Sequence, residues 1–125
     1  MFLRNKPQME VIIGPETTIK GNLITKGAAR IDGQIEGNVD ADWIIIGETG
    51  VVKGDISSRG VIIDGKVQGN ITTTEIVEIK SKGEVQGNLN TPKLAISEGA
   101  FFEGHSHMTK REQDSKTTVL PLSPA

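Results

Sequence analysis

No cysteine occurs in the chain, which excludes disulfide staples and thiolate metal sites as ways of holding a small core together. Aromatic residues make up only 3% of the 125 positions, and no basic patch is studded with them. Within 11–108, nine Lys and Arg stand against 13 Asp and Glu, while 1–10 and 109–125 each carry one net positive charge. An acidic body of this kind excludes nucleic acid as the expected partner. Leucine is scarce too: 11–108 holds three, against 24 Ile and Val. That bias favours pleated surfaces over helices. Long apolar runs are missing as well. The start, Met1-Phe2-Leu3 followed by Arg4 and Lys6, is too short for a secretory core or a membrane span, so a cytoplasmic chain is expected.

What is abundant is glycine, and it recurs at intervals. All 15 glycines lie inside 11–108, leaving no room for an amphipathic helix of ordinary length and good propensity. One phrase appears six times: an apolar residue, a polar one, Gly, then Asn, Asp or His. It runs Ile19-Lys20-Gly21-Asn22, Ile35-Glu36-Gly37-Asn38, Val52-Lys53-Gly54-Asp55, Val67-Gln68-Gly69-Asn70, Val85-Gln86-Gly87-Asn88 and Phe102-Glu103-Gly104-His105. The key glycines advance by 16, 17, 15, 18 and 17 residues. A period of this size marks stacked units, and it fits one coil of a solenoid made of about three short strands and three corners.

The expected fold is therefore all-β: a single-domain parallel β-helix of six coils, cut at 11–26, 27–42, 43–59, 60–74, 75–91 and 92–108. Three inward ladders follow from the cut. They are Ile19, Ile35, Val52, Val67, Val85, Phe102; Leu23, Val39, Ile56, Ile71, Leu89, Ser106; and Ile13, Ile31, Ile46, Ile63, Ile79, Ile96. Between the last ladder and the first stand five residues in four coils and three in the second and fourth. An even difference keeps every side chain on its own face. The residues after the key glycines are expected to turn corners and to bond from coil to coil through stacked amides.

Chemical candidates are few. Asp32 and Asp64 share an Ile-Asp-Gly setting, which is corner chemistry rather than a carboxylate pair. His105 and His107 stand two apart with no third metal ligand near in sequence, so a surface or cap role is expected. The glycine phrases lack a phosphate cradle leading into a helix, so neither nucleotide nor other cofactor is expected. An enzyme alternative remains, a trimeric hexapeptide-type β-helix acyltransferase. Its period of six predicts coils of 18, and His105 or His107 would be its only available base.

The ends of the rod carry the functional signal. Solenoids usually close with atypical polar repeats, yet the first coil opens on Val11-Ile12-Ile13 and the last carries Leu94, Ile96, Phe101, Phe102 and Met108. No amphipathic helix follows to cover them. End-to-end self-association is the expected result.

The phrases Ile-Asp-Gly-x-Ile/Val-x-Gly-Asn at 31–38 and 63–70, the run from Gly47 to Asp55 and the closing Gly-Ala-Phe-Phe-Glu-Gly at 99–104 resemble those of the bactofilins, bacterial polymer-forming cytoskeletal proteins. The resemblance implies a right-handed β-helix, nucleotide-independent filaments, and scaffolding of cell-envelope or cell-shape proteins. It also implies that the apolar rod ends form the filament contacts, mapping onto Phe101 and Phe102 at one end and Val11, Ile13 and Ile19 at the other. A short tail with a leading Phe often tethers such proteins to the inner leaflet of the cytoplasmic membrane, a role matched by Met1, Phe2, Leu3, Arg4 and Lys6. The expected organisation is thus a flexible tail over 1–10, a polymerisation domain over 11–108 and a disordered tail over 109–125. His105-Ser106 departs from the Asn-aliphatic pattern of the other coils, which bears on how the last coil is finished.

Overall fold

A computed structural model describes residues 9–108. The expectations for the tether residues Met1, Phe2, Leu3, Arg4 and Lys6 and for the tail 109–125 lie outside them. Among the described residues the chain is all-β, with sixteen strands and no helix. Every strand pairing is parallel. The short, glycine-punctuated repeats wind into six coils of three strands each, and equivalent strands stack.

One face is a six-stranded sheet running from Thr18–Lys20 through Gln34–Glu36, Val51–Lys53, Lys66–Gln68 and Glu84–Gln86 to Phe101–Glu103. The other two faces join into one ten-stranded sheet, because Ile56–Ile63 and Ile71–Ile79 pass through the intervening corner without a break. At that corner the register slips between Thr73 and Ile76, because two residues lie there where the earlier strand has one between Ser58 and Gly60.

All three ladders read from the sequence are in register. Stacking at about 4.8 Å places each aliphatic side chain directly on the next, and full burial of one Ile or Val contributes about 1.5–3 kcal/mol. A fourth ladder, Val11, Ala29, Ile44, Val61, Val77 and Leu94, lines the same core. It escaped the sequence reading because its key members sit in runs that are apolar on both sides of the strand, such as Trp43–Ile46, where alternation gives no direction. At one corner Thr73 donates to Thr91 at 2.6 Å, and Thr91 in turn donates to the carbonyl of Lys93 at 2.9 Å. Both buried hydroxyls are thereby satisfied.

The alternation of corner lengths has a physical basis. Each five-residue corner closes a turn by a backbone bond, Thr17 to Gly14, Gly50 to Gly47, Gly83 to Lys80 and Ala100 to Ser97, at 2.8–3.1 Å. The three-residue corners pass beneath such turns. A Cβ on Gly33 would strike the carbonyl oxygens of Gly14 and Thr17, and one on Gly65 those of Gly47 and Gly50. The Asp-Gly pairs at 32–33 and 64–65 therefore serve close approach between coils.

The first strand, Met9–Ile13, starts two residues before the repeat block, with Met9 paired to Ala28 across a register shift. Backbone pairing thus extends into the segment read as a tail. Ladder bonding needs no apolar pattern, so the sequence period could not show it.

Candidate functional site

Among the described residues the core is less covered at the two ends of the rod than along its sides. In the middle coils the ladder residues are fully buried, whereas Val11, Ile19 and Leu23 at one end and Leu94, Ile96 and Phe102 at the other are half-buried. Ile13 is the exception, 4% exposed although it belongs to the first coil. Among the described residues each end also shows three strands hydrogen-bonded on one side alone. These are Met9–Ile13, Thr18–Lys20 and Leu23–Ile24 at one end, and Leu94–Ile96, Phe101–Glu103 and Ser106–Met108 at the other. A row of free N–H and C=O groups beside an apolar cross-section is a template for another copy of itself.

The sequence-expected contact residues divide into two groups. Val11, Ile19, Leu94, Ile96 and Phe102 sit on the inward ladders at the two ends, joined by Leu23, which the sequence reading placed on a ladder but not among the contacts, and by Ala100, which packs against the core from the last corner. Phe101 does not join them. It pairs with Glu84 on the outer side of its strand and is 47% exposed, while its neighbour Phe102 stacks on Val85. Strand alternation sends two adjacent phenylalanines to different surfaces. Met108 ends the last strand, paired to Thr91.

The polar ladder after the key glycines works differently from the expected stacking of amides. The side-chain oxygens of Asn22, Asn38, Asp55 and Asn70 each accept from the backbone N–H of the equivalent residue in the next coil, at 3.0–3.3 Å. Only an acceptor is needed. That is why Asp55 can stand in an asparagine position without an amide group.

A side-wall cluster was invisible in the sequence. Arg59 donates two bonds to Asp42, at 3.0 and 2.9 Å, approaches Glu75 at 3.4 Å and stacks over the Trp43 ring at 5.5 Å. The ring itself lies across Gly60, the position where a side chain would collide with it. The hydrogen bond from Arg59 holds the Asp42 carboxyl below its ordinary range. Asp42 and Arg59 are 17 residues apart, so no local motif announces them. Asp32 is paired with Arg30 at 2.9 Å. His105 and His107 are both exposed on the last coil, and among the described residues no three His, Cys, Asp or Glu side chains gather as a metal site would require.

Among the described residues, parallel coils with half-buried ladder residues at both ends define a β-solenoid. The family model of the bactofilins, described as polymer-forming cytoskeletal proteins, matches residues 11–107, and the chain belongs to that family. Bactofilin BacP of Myxococcus xanthus (strain DK1622) is 34% identical over 98 residues, 78% of this chain and 41% of BacP. Bactofilin BacO of the same organism is 33% identical over 112 residues, 78% of this chain and 87% of BacO. The chain thus spans about two-fifths of the first relative and most of the second. Among solved structures, the Thermus thermophilus bactofilin in double helical filaments, seen by cryo-EM, matches at 31% identity with a TM-score of 0.71. That match covers 78% of this chain and 97% of the other. The family is a structural one, which sets aside the acyltransferase alternative. The chain is a cytoskeletal polymer-forming protein.

Proposed function

We propose that rods of this chain join through their terminal coils into filaments that need no nucleotide, lie on the inner face of the cytoplasmic membrane and hold cell-envelope or cell-shape proteins in place. One observation carries the reading: among the described residues, half-buried ladder residues coincide with strands paired on one side only at both ends of the rod. Joining two ends continues the ladders and the sheets together. If a joint removes about 800 Å² of apolar surface in total, the gross gain is roughly 20 kcal/mol, above the ~4–15 kcal/mol assigned to the cost of association. The Thermus thermophilus relative, seen as filaments, supports the direction of the argument.

Purified protein is expected to pellet as polymer at tens of micromolar, equally with and without ATP. A species that stays monomeric under both conditions would defeat the proposal.

Membrane attachment rests on Met1-Phe2-Leu3 with Arg4 and Lys6. Three apolar side chains and two cations hold an anionic leaflet weakly and reversibly. Many such tails on one polymer act by avidity, so assembly would control localisation. Phe2→Glu should free filaments from anionic liposomes in a flotation assay without dissolving them. Equal flotation of variant and parent would take the tether role from Phe2.

A further inference from the structure

The chain's two histidines, His105 and His107, both lie on the sixth coil. Among the described residues one side-chain polar atom is buried without a hydrogen-bond partner, and that atom is Oδ1 of Asn90. Asn90 stands on the rung directly beneath His107, because Leu89–Thr91 pairs with Ser106–Met108 so that Leu89 meets Ser106 and Asn90 meets His107. A buried acceptor left unpaired is rare and costly. Its place under an imidazole gives it a candidate use.

Leu89 and Ser106 belong to an inward ladder, so strand alternation turns Asn90 and His107 outward together. Both histidines are exposed and Ser106 between them is half-buried, which sets the two imidazoles on one side of the chain. Two residues along a strand span about 6.6 Å, and one rung rises about 4.8 Å. Ring nitrogens and an amide oxygen carried at those spacings can converge on one ion, whose bonds to nitrogen and oxygen run about 2.0–2.2 Å. Among the described residues no coil lies over His107, so an ion can enter from that end. The sequence conceals the set, since its third donor comes from the coil below, 15 residues before His105. That donor is an amide oxygen, so the set holds only two residues of the types His, Cys, Asp and Glu.

We infer that His105, His107 and Oδ1 of Asn90 form a site for a late first-row divalent cation such as Zn²⁺, which staples the sixth coil to the fifth. Imidazole nitrogens select such ions over Mg²⁺ and Ca²⁺, which prefer all-oxygen sites. Water takes the remaining coordination position. In the lower coils the side-chain ladder that climbs from Asn22 to Asn88 already ties each coil to the next. The sixth coil carries His105 at the equivalent place, and the cation gives it a link of the same kind. This role belongs to a single molecule and stands whether or not rods join.

The test is equilibrium dialysis of the whole chain against Zn²⁺, with thermal melting in Zn²⁺ and in chelator. The parent should hold one ion per chain and melt at a higher temperature with Zn²⁺, because an ion bound by the folded coil alone stabilises it. His105→Gln and His107→Gln, both at exposed positions, should each weaken binding about tenfold or more and cancel the rise in Tm. The Asn90 variants separate this site from a mere pair of surface histidines. Asn90→Ala should weaken binding about tenfold, while Asn90→Asp, which offers a charged oxygen in the same place, should tighten it. Asn90→Asp keeps the size of the side chain, so it reads the site even if Asn90→Ala loosens the coil. Absence of binding at millimolar Zn²⁺, binding indifferent to the histidine variants or to Asn90→Asp, or binding without a rise in Tm would each overturn the inference.

Discussion

Phe102→Arg is expected to turn filaments into single, folded rods. The side chain stands on the last rung of its ladder, half-buried above Val85. A guanidinium there would be enclosed in an apolar joint without a counter-charge. Breaking or unpairing a buried charge in this manner costs about 3–5 kcal/mol, which weakens each joint by roughly two to three and a half orders of magnitude. Polymer length depends on every joint, so the critical concentration should rise above the working range. Because the substituted side chain lies at the tip of the core, the coils beneath it should melt as in the parent. Phe101→Arg makes the control: it changes a neighbouring residue on the flank of the same strand and should leave filaments in place. Velocity sedimentation of the two variants reads the difference. Long polymers from Phe102→Arg would locate the joint elsewhere.

The second large effect is on folding. Gly69→Ala places a methyl group against the carbonyl of Gly54 in the coil below, at a backbone φ of +150°. The conformation alone costs on the order of 1–3 kcal/mol for a residue with a side chain, and the collision forces the two coils apart at a corner where the polar ladder must also close. A total of roughly 3 kcal/mol or more should lower Tm by more than about 10 °C for a domain of this length. Gly37, Gly54 and Gly87 repeat the arrangement. Gly14→Ala serves as the reference, since nothing lies within 4 Å of a Cβ there, and it should melt within a few degrees of the parent. A Gly69→Ala protein as stable as that reference would show that the coils can separate at the corner without loss.

Much of this architecture was legible because a solenoid's long-range contacts repeat its sequence period. Once the key glycines were aligned, Ile31, Ile46 and Ile63 had to stack, and the two-residue difference between corners had to preserve their direction. What stayed hidden depends on two coils at once. Arg59 reaches back a full turn to Asp42, and Trp43 rests on the glycine one coil later. Nothing adjacent to either residue signals the contact. The outward row of Ile12, Ile45 and Ile62 was hidden for a different reason. Strands such as Val61-Ile62-Ile63 are apolar on both sides, and a strand apolar on both sides does not say which side is core. The same ambiguity concealed the separation of Phe101 from Phe102, which only the pairing with Glu84 and Val85 resolves. The end residues Val11, Ile19, Leu94 and Ile96 could be found from their place in the repeat, whereas the degree of cover over Ile13 could not.

The backbone bonds between coils all point along the rod, as in any parallel stack. A pull along a filament therefore loads every bond at a coil boundary simultaneously, while a sideways force can peel them one after another. Such a cable resists stretching more than bending, and overload should part it at the seams between molecules before any molecule unravels.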